Sequence, residues 1–216
     1  MKIEFKKIFL SLILSSSMFS PLLFAQKADA LALYRAGKYA ESVAVCEQEL
    51  LQNPKNVNSY VVLCWSLVGK KDYAKAEAKA IEGRNISSTD TRLIEILAEA
   101  KYYQGKNAGA LEYFQLYIAN APPGSSDIGF AYLYMGEIYI RQAKYQHADM
   151  AFSAAVHEQP SKYAYWWTRC GYAREMVGNY ETAKTAYEKA LSLDPSSPDA
   201  ARGKKRAEDA LAKAGV

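Results

Sequence analysis

Apolar side chains recur along most of this chain at spacings of three and four residues, the pattern that gives a helix one buried face. Tyr60, Leu63, Cys64 and Leu67 form one such stripe, and Tyr132, Met135, Gly136 and Tyr139 form another. Between stripes the chain returns to a short polar string. Gly37-Lys38-Tyr39-Ala40-Glu41-Ser42 reappears in altered form as Lys71-Asp72-Tyr73-Ala74-Lys75-Ala76 and as Gly105-Lys106-Asn107-Ala108-Gly109-Ala110. It returns again as Ala143-Lys144-Tyr145-Gln146-His147-Ala148 and as Gly178-Asn179-Tyr180-Glu181-Thr182-Ala183. The third members fall at 39, 73, 107, 145 and 180, at intervals of 34, 34, 38 and 35 residues. A second stripe follows each string, as Phe152 and Ala155 follow Ala148, and Tyr187, Ala190 and Leu191 follow Ala183. Pro54, Pro122, Pro160 and Pro195 then stop the second helix, with Ser88 in that place in the second unit. The predicted unit is helix, tight turn, helix, stop.

That unit resembles the tetratricopeptide repeat, a helical hairpin of ~34 residues marked by Trp/Tyr, Leu, Gly/Ala, Tyr, Ala, Phe/Tyr, Ala and Pro. Tyr132, Gly136, Tyr139, Tyr145, Ala148, Phe152, Ala155 and Pro160 fill the signature positions of one unit. Trp167, Gly171, Tyr180, Ala183, Tyr187, Ala190 and Pro195 fill those of the next. The first three units depart further, with Cys46 and Ala80 in place of a large aromatic, Glu49 in a small-residue position and Asn107 in place of Tyr. The resemblance runs from about residue 27 to 197 and implies an all-α, right-handed solenoid of about five hairpins. Its units lie near 26–56, 57–90, 91–128, 129–163 and 164–197. Small residues permit close helix approach, so Gly136 is expected to face Ala148 and Ala155, and Gly171 to face Ala183 and Ala190. The interval of 38 places about four extra residues in the Pro/Gly/Ser stretch from Pro122 to Asp127.

Ser197-Pro198-Asp199 offers an N-cap serine and a proline at the first helical position. A last helix is therefore predicted to about Lys213, with 198–216 forming a cap and tail. Its thin stripe of Ala200, Ala207, Leu211 and Ala214 suits the place where a stack ends in water. The cluster Arg202, Lys204, Lys205 and Arg206 reads as the solvated face of that cap; an acidic partner or anionic lipid is the other reading.

Met1 to Lys7 is short and basic, Ile8 to Leu14 is a compact apolar run, and Ser15 to Ala25 tapers to a small residue. This is the layout of a secretory signal peptide, residues 1–25. Five serines and Pro21 between Ile8 and Ala25 make the stretch a poor apolar span of the ~20 residues a membrane helix needs. Cleavage is expected after Ala25, with Ala28-Asp29-Ala30 as an alternative that would shorten the first helix. The expected protein is bacterial and exported, periplasmic or secreted, with no stable membrane span after signal removal. The whole chain is formally +4; three lysines and one glutamate fall in residues 1–25, so the rest carries 24 basic and 22 acidic residues, net +2. Both signs are interleaved along nearly every segment, so no basic face for nucleic acid is expected.

Little in the sequence points to chemistry. The two histidines, His147 and His157, belong to no metal-binding motif, and no glycine-rich phosphate loop is present. No catalytic residue, metal or cofactor is expected. Cys46 and Cys64 lie on neighbouring predicted helices, where a bridge needs Cα atoms within ~7 Å; buried free thiols are the preferred reading for these and Cys170.

The resemblance implies that the first helix of each hairpin lines a concave groove. Stepping around each first helix away from its core stripe selects Tyr34 and Arg35, then Asn58, Val61, Trp65 and Val68. Arg92, Glu95, Glu99 and Tyr102 follow, then Phe130, Leu133, Glu137 and Arg141, then Tyr165, Thr168, Tyr172 and Glu175. Aromatic and Arg side chains dominate protein interfaces, so the groove is predicted to hold a protein or peptide of the cell envelope. The alternative is a small-molecule or lipid carrier in which the same aromatics line an enclosed pocket. Some family members grip the acidic tail of a chaperone with Lys and Asn; the matching Lys27, Leu31 and Tyr34 lack the Asn, which argues against that client. The pattern leaves oligomeric state open.

Overall fold

The structure, a computed structural model, describes residues 29–215 except Pro123 and Ser126. The predicted signal segment, the Ala25 cleavage point and Lys27 lie outside these residues. The described chain forms α1 (Ala30–Arg35), α2 (Tyr39–Gln52), α3 (Val57–Gly69), α4 (Tyr73–Ile86), α5 (Thr91–Tyr103) and α6 (Asn107–Asn120). It continues as α7 (Ile128–Arg141), α8 (Tyr145–Glu158), α9 (Ala164–Met176), α10 (Tyr180–Leu193) and α11 (Pro198–Ala214). No strand occurs among the described residues.

The recurring polar string is the turn inside each hairpin. Its first member, at 37, 71, 105, 143 and 178, has positive φ in all five cases. The next amide reaches back five residues to close the preceding helix, as in Lys38 N–H to Leu33 O, Asp72 to Leu67, Lys106 to Lys101, Lys144 to Tyr139 and Asn179 to Arg174, each at 2.9 Å. This is a Schellman-type closure, which satisfies helix-end carbonyls and requires one left-handed residue. Glycine fills that position in three turns, whereas Lys71 and Ala143 adopt it at φ 63° and 54° despite a Cβ. The longer joint between α6 and α7 occupies 121–127, where the extra residues were expected.

Each helix packs on the one before and the one after it, without a break from α1 to α11. Successive first helices also touch, α1 with α3, α3 with α5, and α9 with α11, while α5 only grazes α7. Among the described residues no second helix has an extended contact with another second helix. The stack therefore curves with α1, α3, α5, α7 and α9 on its inner side.

Leu63, Leu67, Leu93, Ile96, Leu97, Phe114, Ile138, Phe152 and Tyr187 supply the largest buried side chains along the interior. The close-contact glycines meet something other than the expected alanines. A Cβ on Gly136 would come within 2.5 Å of the Phe152 ring, and one on Gly171 within 2.8 Å of the Tyr187 ring. The small residue makes room for the large aromatic of its own hairpin. Cys46, Cys64 and Cys170 are buried free thiols, and burial pushes the first two up to about 12.

One polar cluster sits within this apolar frame. Glu77 on α4 accepts from Lys101 Nζ at 2.7 Å, Gln104 Nε2 at 2.7 Å and Lys106 Nζ at 2.6 Å. Burial alone would raise its pKa, but these donors outweigh burial and hold it down at about 2. At the far end, Ser197 caps α11 through Ala200 N–H as predicted. The basic cluster of α11 is largely paired: Arg202 with Asp199, Lys204 with Glu188 and Glu208, and Arg206 with Glu175. Among the described residues no helix is long and apolar enough to cross a membrane.

Candidate functional site

Three hollows adjoin on the inner side. The first, about 410 Å³, is bounded by Asp29, Arg35, Asn58, Val62, Trp65 and Arg92. The second, about 570 Å³, shares Trp65 and Arg92 with the first and adds Glu95, Tyr117 and Asp127. The third, about 180 Å³, shares Glu95 with the second and is walled by Glu99, Phe114, Phe130 and Tyr134. Shared walls make them one trough crossing α1, α3, α5 and α7.

Trp65 marks the middle of the trough. Its ring stacks on Tyr34 at 5.7 Å between centroids and 24° between planes, so two helices hold one flat apolar surface. Beside it Arg92 is fixed by Asp90, at 2.7 and 3.1 Å, and by Asn58 Oδ1 at 3.1 Å. Glu95 and Glu99, one turn apart on α5, lie deeper. Burial pushes Glu95 up to about 8, and the negative charges of Asp127 and Glu99 add to the effect. Burial also raises Glu99, against a hydrogen bond from Tyr134, with Asp127 raising it further.

A family model for the tetratricopeptide repeat matches residues 164–197, the span of α9 and α10. Among solved structures, MamA aligns at 18% identity and TM-score 0.68, covering 78% of this chain and 95% of that one. The chain has the fold of a tetratricopeptide-repeat solenoid. YrrB, described as a tetratricopeptide-repeat protein with an unusual peptide-binding site, aligns at 18% identity and TM-score 0.66, covering 82% and 88%. The C-terminal part of a repeat protein from Cytophaga hutchinsonii aligns at 15% identity and TM-score 0.71, covering 85% and 70%. At these identities the likeness is one of fold. No curated protein matches the sequence.

The repeats bring together Arg35, Asn58, Trp65, Arg92, Glu95, Glu99 and Phe130 as trough walls, with Tyr34 stacked on Trp65. Further along, Glu137 accepts from Tyr165 Oη at 2.9 Å and from both arms of Arg169 at 2.6 and 2.8 Å. Arg169 lies over Tyr172, 5.2 Å from its centroid, and Arg141 over Tyr102 at 4.2 Å. Tyr165 is 55% exposed.

Five selected residues are corrected by the packing. Val61 has no exposed surface, and Tyr102, Leu133 and Thr168 are also buried. Glu175 is engaged inside the protein, accepting from Tyr187 Oη at 2.7 Å and from Arg206 at 2.6 and 2.9 Å. The burials share a cause. Val61, Leu133 and Thr168 each stand three residues after the first selected position of their helix, and on α3, α7 and α9 that step turns toward the core. The residue four positions on is the more open one: Val62 lines the first hollow, where the fully buried Val61 belongs to the same wall, Tyr134 lines the third, and Arg169 grips Glu137. Steps of three and four differ by ~100° of helix rotation, and only the neighbouring repeats decide which one is covered. Tyr134 and Asp127 were legible as the i+4 and i−3 neighbours of Phe130. Phe114 had no such signal, since it reaches the trough from a second helix.

Proposed function

We propose that the protein is a non-catalytic scaffold that holds an extended segment of another protein along its inner trough. We further propose that it works outside the cytoplasm of a bacterium, on a cell-envelope partner, after residues 1–25 are removed. The observation that carries the binding reading is the trough itself, which is open, runs across four first helices, and alternates a Tyr34–Trp65 stack with charged groups. Such a surface offers an anchoring aromatic with flanking polar contacts, the usual arrangement at protein interfaces. YrrB, with the same fold, is described as having a peptide-binding site, which favours the same kind of ligand here. An open trough of joined hollows suits a chain segment better than an enclosed small molecule. The non-catalytic part is supported by His147 and His157, both exposed on the outer helix α8.

Cross-linking in intact cells with tagged protein, followed by mass spectrometry, should capture one recurrent protein partner. Trp65→Ala should reduce that capture by about tenfold or more, since a central aromatic anchor contributes upwards of ~2 kcal/mol. No recurrent partner, or capture indifferent to Trp65→Ala, would sink the binding reading. A purified protein still beginning at Met1 and recovered inside the cell would sink the export reading.

A further inference from the structure

The innermost hollow of the trough has walls of two kinds. Phe114 and Tyr134 stack at 5.4 Å and 17°, with Phe130 on the same lining; Glu95 and Glu99 supply the only carboxylates among its lining residues. Neither carboxylate forms an ion pair among the described residues. The nearby cations are engaged elsewhere: Arg92 with Asp90 and Asn58, Lys101 and Lys106 with Glu77. The other ionisable groups that face the pair are Asp127 from the α6–α7 joint and Tyr34, Tyr73, Tyr117 and Tyr134 from α1, α4, α6 and α7. None of them brings a positive charge. At about 180 Å³ the hollow is smaller than the ~300 Å³ and upward typical of small-molecule sites. It opens through Glu95 into the larger hollow, where the main chain of a held segment would run.

We propose that this hollow receives the basic side chain of an arginine carried by the segment held in the trough. The assignment rests on the scaffold reading above and names the chemistry its partner must present. A guanidinium is planar, so it stacks on the aromatic walls, and its forked donors reach two carboxylates one helical turn apart. Its positive charge supplies what the part-buried pair lacks. Insertion ionises Glu95, so binding releases a proton and tightens as pH rises from about 6 to 9, over which arginine keeps its charge.

The test is a carboxyl-carbon NMR titration of the purified protein, labelled at glutamate, with and without N-acetyl-arginine methylamide. Glu95 is assigned by its loss in Glu95→Gln. The arginine derivative should lower the Glu95 midpoint by about one pH unit or more, roughly a tenfold preference of the cation for the ionised form. The isosteric, uncharged citrulline derivative should leave it in place. Two results overturn the proposal: an unmoved midpoint, or equal movement with citrulline. n-Propylguanidinium, the same singly charged guanidine and stem without a peptide backbone, separates the sources. Markedly tighter binding of n-propylguanidinium than of the arginine derivative overturns the peptide-borne occupant. Capture of the cellular partner is a separate readout. If Glu95→Gln and Glu99→Gln together leave capture intact while Trp65→Ala abolishes it, this assignment falls and the scaffold reading stands.

Discussion

The turn position at 37, 71, 105, 143 and 178 shows how one dihedral angle becomes a sequence repeat. A left-handed residue there lets the next amide close the helix, and a Cβ in that conformation costs energy that glycine avoids. Ala143 therefore carries strain that Gly37, Gly105 and Gly178 do not. Ala143→Gly should raise stability by about 0.5–1 kcal/mol, the relief exceeding the extra freedom of the unfolded chain. The urea midpoint reads this directly, and an unchanged or lower midpoint would show that the turn is unstrained. Buried cysteines make a related point at the same scale. Cys46 and Cys64 hold thiols raised by burial in positions where the repeat signature places large or small apolar groups, so they act as packing atoms.

Among the elements, α11 shows most plainly how a repeat stack is ended. It lays Gly203 against the ring of Tyr187, whose other side covers Gly171, and Arg206 then reaches Glu175, which also accepts from Tyr187. A Cβ at Gly203 would run into the Tyr187 ring, which is enclosed on both sides. Gly203→Ala should thus cost about 1–3 kcal/mol through overpacking, with the loss seen as a lower thermal midpoint. Tyr187→Leu in the same background should recover part of it, because the space is contested by that ring. The start of α11 was legible, since Ser197 and Pro198 are local signals. Its anchoring was not. Gly203 read as one more residue of a polar helix, and Glu175 read as part of the groove, because neither residue's partner is near it in sequence.

Across the whole molecule, the buried Glu77 and the part-buried Glu95 pull stability in opposite directions with pH. Glu77 is held at about 2 in the fold, so it stabilises above the ordinary carboxylate value near 4.5 and loses that contribution as pH falls from 4.5 toward 2. Glu95 is raised to about 8, so the fold keeps its proton where the unfolded chain has lost it; stability falls as pH rises from 4.5 through 8. Urea midpoints between pH 3 and 9 should peak near pH 4.5–5 on account of this pair. Glu95→Gln should flatten the upper limb, adding about 2 kcal/mol at pH 9 after allowance for a partly open site and almost nothing at pH 4.5. A wild-type-like fall from pH 5 to 9 in that variant would refute the assignment of the cost to Glu95.

The hairpin count, the turn positions, the helix stops and the cap were determined by sequence alone, because each depends on residues within a few positions of one another. Turn strings and stripes at three and four are local physics repeated five times, and Ser197-Pro198 at the start of α11 is local physics used once. Tertiary structure decided which side of each first helix stays open, since that depends on what the neighbouring repeats cover. It turned Val61, Leu133 and Thr168 inward and left Val62, Tyr134 and Arg169 facing the inner side. It also brought Phe114 from a second helix to wall the hollow that holds Glu95 and Glu99. Those encounters join residues from different helices, and their partners are chosen by the curvature of the stack, which no single stretch of chain encodes.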